Sequence, residues 1–460
     1  MNLNDYILSI KEKKIGVIGI SVSNTPWIKL LLMSGCSVTA CDKRTVEQMG
    51  MEAFELINMG AKLRLGDSYL DKLDFDVIFR TPGLMPFDEH LENAAKNGAV
   101  ITSEMEVFMS LCPCRIIAVT GSDGKTTTTT VISELLKEGG YTVHVGGNIG
   151  KPLLCELPYI KASDIVVLEL SSFQLHSMYC KTDVAVITNI SPNHLDKHKD
   201  YEDYIEAKCS IFLNQLPDSC LVLNRSCEFS AGFESRTKGV VRYFNDKGTE
   251  ANGAFEEDGK LYRVKNGERE FVIDAEDIRI PGQHNVQNYL AAYAATSDFV
   301  SAEVCANVAR EFKGVEHRLE QVRELNGITF INDSIASSPS RTGAGLRAVR
   351  TKPIIILGGY DKKIPFDGLG EDLCLYAQKV FLTGATAEKI REAIVNAPSY
   401  STSPVPVTVI DDFKETVHAA YAAAEPGDLV VLSPACAAFD KFKNFAERGK
   451  IFKQIVMELN

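Results

Sequence analysis

The amino-acid sequence predicts an α/β protein built as three successive units, about 1–103, 104–314 and 315–460. Three observations carry this. Short apolar runs that end in turns recur along the chain, separated by segments of helical period, as in parallel sheets covered on both faces. The stretch from about 220 to 280 breaks the pattern with alternating strands and Asp-Gly or Asn-Gly turns, the mark of antiparallel hairpins. A strand at "IIAVT" runs into a short glycine-containing loop and a helix, "GSDGKTTTTT".

The first unit supplies "KKIGVIGI", "CSVTACD" and "FDVIFRTPG". It reads as a Rossmann-like domain with a weak turn. Gly19 is followed by Ile20, Ser21, Val22, Ser23 and Asn24, so two of the three glycines of G-x-G-x-x-G are missing. Asp42 lies after the second strand, about where a ribose-binding acid would sit. The missing glycines argue against an NAD(P) dehydrogenase.

The central unit is of P-loop mononucleotide-binding type, with a small antiparallel β patch attached. Its strands are "CRIIAVTGS", "ASDIVVLELSS" and "KTDVAVITNIS". In Gly121-Ser122-Asp123-Gly124-Lys125-Thr126 the Gly-Lys-Thr end of a P-loop is present. Val119 stands where the first glycine of G-x-x-x-x-G-K-S/T belongs, so the loop is tighter than the common one. Backbone N–H groups at a helix start hold phosphate oxygens, Lys125 adds charge, and Thr126 offers a hydroxyl to Mg²⁺. A glycine turn that merely caps a helix is the alternative. The strand before, the helix after and the Lys-Thr pair favour nucleotide binding.

Glu169 sits inside the apolar strand "IVVLEL", and a buried carboxylate needs a partner or a metal. The next strand opens into "SPNHLD", which brings His194 to the same edge. Beside a phosphate loop the pair reads as metal ligands, against the plainer reading of a structural salt bridge and a structural histidine. In "DYEDYIEAKCSIF", Tyr201, Tyr204, Ile205, Ile211 and Phe212 mark one helical face, and Lys208 falls on that stripe. Two readings stay open for Lys208. It snorkels, its amine reaching water, or its pKa is lowered and the neutral amine takes up CO₂ as a carbamate. The residues alone favour snorkelling.

The last unit supplies "ITFINDS", "PIIILGG", "KVFLTGAT" and "GDLVVLSPA", a second Rossmann-like α/β domain. A composition of 45% hydrophobic and 24% charged residues is that of a soluble globular chain. The net charge of −12 argues against a grip on nucleic acid, and no apolar run is long enough for a membrane span. The twelve cysteines include no C-x-x-C, so reduced thiols in a cytoplasmic protein are expected rather than a zinc site.

These strings in this order resemble the Mur ligase superfamily over essentially the whole chain. The carriers are "TGSDGKTTT", "GGNIGKPL", "LELSSFQL", "NISPNHLD", "EAKCSIF", "PGQHNVQN", "EHRLE", "INDS", "LGGYDKK" and "LSPACAAFDKFKNFAERG". The last string points to the D-glutamate-adding branch. The resemblance implies an ATP- and Mg²⁺-dependent amide ligase that adds D-glutamate to UDP-N-acetylmuramoyl-L-alanine through an acyl phosphate. It is expected to be cytoplasmic and monomeric, serving peptidoglycan precursor synthesis. The alternatives are another Mur-type or folylpolyglutamate-type ligase, or a P-loop ATPase without ligase chemistry.

By the same resemblance, Gly121, Ser122, Asp123, Gly124, Lys125, Thr126 and Thr127 cradle the ATP phosphates, with Lys125 on the γ-phosphate. Thr126 holds one Mg²⁺, and Glu169, His194 and a carbamylated Lys208 surround a second. Asn285 and Asn288 match adenine contacts, Asp333 the ATP ribose, and His317 and Arg318 face ATP and the reacting centre. The UDP-substrate falls to Ser23, Asp42, Lys43, Arg44, Thr81, Gly83 and Asn148. Ser337, Lys362 and Phe445 match positions that hold glutamate, while Ile335 and Ala438 replace an expected lysine and serine. Arg341 is a candidate to take over a carboxylate contact.

Overall fold

The computed structural model describes residues 1–194, 197–245, 252–280, 282–349, 351–362 and 364–460. Leu195 and Asp196 of "SPNHLD", Pro281 of "PGQHNVQN" and Lys363 of "LGGYDKK" lie outside the described residues. The chain divides into two compact units. One is Met1–Ile278 with His284–Arg310, and the other is Arg279–Gln283 with Glu311–Asn460.

Two sheets lie in the larger unit. The first contains β1 (Ile15–Ile18), β2 (Val38–Asp42), β3 (Lys62–Leu65), β4 (Val77–Phe79) and β5 (Val100–Thr102), in the order β3-β2-β1-β4-β5 and parallel throughout. The second contains β6 (Arg115–Thr120), β7 (Val143–Gly147), β8 (Ile165–Glu169), β9 (Val184–Ile187), β10 (Cys220–Asn224), β11 (Val240–Phe244), β12 (Gly253–Glu257), β13 (Lys260–Lys265) and β14 (Glu268–Asp274). Its order is β14-β13-β12-β11-β10-β9-β6-β8-β7. The smaller unit has β15 (Glu320–Leu325), β16 (Ile328–Asn332), β17 (Ile354–Leu357), β18 (Lys379–Leu382), β19 (Val407–Val409) and β20 (Leu429–Leu432), ordered β15-β16-β20-β17-β18-β19.

The antiparallel patch is smaller than its sequence suggests. "VVRYF" forms β11, which runs parallel to both β10 and β12. Only β12, β13 and β14 are antiparallel. Both of their turns have the predicted chemistry. Asp258-Gly259 and Asn266-Gly267 take positive φ at both residues, as two-residue hairpin loops of the primed type require.

The first two sheets share one apolar core, in which Trp27, Phe79, Phe108, Leu168 and Leu175 are each wholly buried. Within it lies an acid. Glu104 opens the helix Glu104–Leu111 and is 5% exposed. It accepts a hydrogen bond from the Leu154 amide (3.0 Å), but burial pushes its carboxyl up to about 7.

This sets a pH dependence. The folded carboxyl keeps a proton that the unfolded chain releases near pH 4.5, so stability falls as pH rises from there to about 7. The shift of about 2.5 units corresponds to about 3 kcal/mol. Glu104→Gln should therefore gain about 3 kcal/mol on the native protein between about pH 4 and pH 8, measured by urea unfolding. An equal difference at both pH values would show that Glu104 ionises normally in the fold.

Candidate functional site

The carboxyl ends of β6, β8 and β9 converge because β6 lies between the other two. From β6 the chain enters the tight loop, whose glycines are sterically demanded. Gly121 has φ +148, and a Cβ there would stand 1.9 Å from Thr188 Oγ1. Gly124 has φ +77, and its Cβ would meet Asn288 Oδ1 at 2.3 Å. The helix Lys125–Glu138 follows directly.

Two lysine amines converge on this loop. Lys125 Nζ donates to the Gly121 and Ser122 carbonyls (2.9 Å each). Lys208 Nζ, from the helix Tyr201–Cys209, donates to the same Gly121 carbonyl (2.8 Å). Lys208 is 2% exposed, so it does not snorkel. The apolar stripe that suggested this faces a core, and the amine points inward to the loop. Burial, then the charge of Lys125, hold its pKa well below the usual lysine value.

Glu169 closes β8 and is 1% exposed. Its Oε1 accepts from Asn148 Nδ2 (2.8 Å), while the Asn148 amide donates to the Glu169 carbonyl (2.7 Å). Glu169 Oε2 is buried with no hydrogen-bond partner among the described residues. A carboxylate oxygen left so is costly unless a cation completes it, and a carboxylate oxygen is the kind of donor a hard divalent ion takes.

His194 lies beyond β9 with φ +56, exposed, its ring edge-on to Phe173 at 4.9 Å between centroids. Ser122 is buried rather than turned to a ligand. Its hydroxyl donates to the Ser191 carbonyl, accepts from the Ser191 amide (2.9 Å each) and pairs with Tyr204 Oη (2.8 Å). Asp123 is exposed, and its amide donates to Asn189 Oδ1. Thr126 is half-buried and Thr127 buried. Asn288 accepts from Thr128 Oγ1 (3.3 Å) and donates to Asn285 Oδ1 (3.3 Å), which places the asparagine pair against the loop.

Sequence reading passed over a cluster beside this edge. Asp203 bonds His176 Nε2 and His198 Nδ1 (2.8 Å each), and His198 Nε2 meets Ser172 Oγ (2.9 Å). The signal available was the spacing of His194, His198 and Asp203 within "HLDKHKDYED". Arg80 was passed over too. Its buried guanidinium donates to the carbonyls of Leu84, Phe173 and His176, tying the first sheet to the turn after Glu169.

At the first sheet Asp42 is occupied by its own neighbours. It accepts from the Ile20 amide (2.8 Å), the Arg44 amide (2.9 Å) and Arg44 Nε (3.0 Å). It thus shapes the glycine-poor turn and orients Arg44, leaving Lys43 and Gly83 exposed at the strand ends. Ser23 precedes the helix Asn24–Met33, and Thr81 packs against Gly19.

The smaller unit gathers its own residues. His317 is buried with φ +65, its Nδ1 accepting from Asn332 Nδ2 (2.9 Å) and its pKa lowered by burial. Arg318, half-buried, follows it. Asp333 accepts from Ser433 Oγ (2.8 Å) and the Leu319 amide (3.3 Å), with burial raising its carboxyl to about 6. Lys362 Nζ donates to the Ser337 carbonyl (3.3 Å), and the Phe445 carbonyl accepts from Ser334 Oγ. The Ile335 amide donates to the His317 carbonyl, Ala438 is buried, and Arg341 is exposed.

Comparison with known proteins shows the family. The profile of the Mur ligase middle domain matches residues 119–296, and that of the Mur ligase glutamate ligase domain matches 317–436. UDP-N-acetylmuramoylalanine--D-glutamate ligase of Clostridium botulinum (strain Alaska E43 / Type E3) is 49% identical over 98% of both chains. The enzyme of that name from Acetivibrio thermocellus is 49% identical over 99% of this chain and 98% of its own. In fold the chain is similar to UDP-N-acetylmuramate-alanine ligase of Thermotoga maritima, with TM-score 0.59 and 18% identity, covering 97% and 99% of the two chains. The chain belongs to the Mur ligase family, among its UDP-N-acetylmuramoylalanine--D-glutamate ligases.

Proposed function

We propose that this chain joins D-glutamate to UDP-N-acetylmuramoyl-L-alanine at the expense of ATP, as a cytoplasmic monomer in peptidoglycan precursor synthesis. The nature of the acceptor rests on what the relatives are named for. The chemistry rests on one observation: a phosphate loop, two lysine amines on one carbonyl, and a carboxylate with an unpartnered oxygen share one sheet edge. In this reading 1–103 takes the UDP-substrate, 104–314 the ATP phosphates, and 315–460 the amino acid and part of ATP.

A carboxylate is inert to an amine at neutral pH, so phosphorylation supplies a leaving group. The γ-phosphoryl passes to the L-alanine carboxylate, with loss of ADP. The amine of D-glutamate attacks the acyl phosphate, a tetrahedral intermediate forms, and phosphate leaves as the amide closes. Lys125 exchanges its loop carbonyls for phosphate oxygens and meets charge that develops in transfer. The Gly124–Thr126 amides at the helix start orient those oxygens. Thr126, Glu169, His194 and Lys208 would hold Mg²⁺, which when bound neutralises phosphate charge. The depressed pKa of Lys208 favours the neutral amine that combines with CO₂ to a carbamate. Asn285, Asn288 and Asp333 position the nucleoside, while Ser337, Lys362 and Phe445 receive glutamate.

Phosphate release from ATP with UDP-N-acetylmuramoyl-L-alanine should require D-glutamate and not proceed with L-glutamate or with no amino acid. Release independent of both substrates would leave only an ATPase. Lys208→Ala should lose activity, bicarbonate should not restore it, and small carboxylates should restore part of it. Near-native turnover in that variant would remove Lys208 from the site.

A further inference from the structure

The three groups assigned to the cation stand on three separate segments: Glu169 at the end of β8, His194 on the loop after β9, and Lys208 on the helix Tyr201–Cys209. One hydrogen-bonded chain joins those segments. Ser172 follows Glu169 by three residues, His198 follows His194 by four, and Asp203 precedes Lys208 by five. Ser172 Oγ meets His198 Nε2 (2.9 Å), His198 Nδ1 meets Asp203 Oδ2 (2.8 Å), and Asp203 Oδ1 meets His176 Nε2 (2.8 Å), back on the first segment. Phe173 adds a second link. Its ring stacks on His198 (5.4 Å, 12°) and takes the edge of His194 (4.9 Å, 62°).

We propose that this His176–Asp203–His198–Ser172 chain is a positioning device that fixes the spacing of Glu169, His194 and Lys208 and so sets the affinity of the cation site. The inference rests on the cation reading given above. Both ring nitrogens of His198 are engaged, each to a different segment, and its side chain is 0% exposed. Only an imidazole spans both partners: asparagine can reproduce the Nδ1 bond and glutamine the Nε2 bond, but neither makes both. Partners that orient metal-binding groups in this way typically govern affinity by about tenfold or more.

The test uses Mn²⁺ as the probe, its free ion followed by electron paramagnetic resonance, with the full chain and UDP-N-acetylmuramoyl-L-alanine present. Glu169→Gln serves as the reference for the cation reading and should abolish binding. His198→Asn, His198→Gln and Asp203→Ala should each weaken Mn²⁺ about tenfold or more, with unchanged calorimetric affinity for UDP-N-acetylmuramoyl-L-alanine. Native Mn²⁺ affinity in both His198 variants, with Glu169→Gln inactive in binding, would overturn the positioning role alone. Native affinity in Glu169→Gln would overturn the cation reading and the proposal with it. Parallel loss of Mn²⁺ and UDP-N-acetylmuramoyl-L-alanine binding in the His198 variants would reduce the chain to a general structural support and overturn its specific role.

Discussion

The carbonyl of Gly121 accepts from both Lys125 and Lys208, and the site is arranged around that shared oxygen. Two ammonium groups drawn to one neutral acceptor, one of them buried, repel each other. The arrangement is tolerable because the Lys208 amine is easily neutralised, as its lowered pKa shows. The ring of Tyr204 lies 4.6 Å from the amine and adds a weak attraction through its π face. The hydroxyl of the same Tyr204 holds Ser122, so one side chain braces both the loop and the lysine. With Lys208 neutral, the charge of Lys125 is left on the loop, which is a physical reason for a phosphate to be welcome there.

Much of this was legible from residues. Strands buried on both faces, such as "IVVLE" and "VAVI", announce themselves as unbroken apolar runs. The hairpin turns were legible because Asp-Gly and Asn-Gly carry the required backbone conformation. Several strands at sheet edges were not. β3, β5, β15 and β19 are short or half-exposed, so "KLRL" and "EQVREL" show no apolar run. β11 looked antiparallel because strand direction depends on the chain's return path, which alternation does not encode.

The site divides the same way. Gly121, Gly124 and Lys125 follow from a local loop, and locality is what sequence records best. Lys208 could not be settled so. Its place on an apolar stripe favours an amine that reaches water, and only the packing of the helix Tyr201–Cys209 on the loop shows one in the core. Asp42, the last residue of β2, accepts from Ile20 and Arg44, contacts that its position in the sequence does not record. Arg80 carried no signal, since all its acceptors are main-chain carbonyls that any residue can offer.

The strand order of the six-stranded sheet has a consequence for synthesis on the ribosome. β20, the last strand among the described residues, lies between β16 and β17 and pairs with both. Until residues 429–432 emerge, those two strands lack their common neighbour and present open, apolar edges. The smaller unit therefore cannot mature from its amino terminus forward. It closes only once β20 has been made, and until then the nascent protein exposes two strand edges to aggregation.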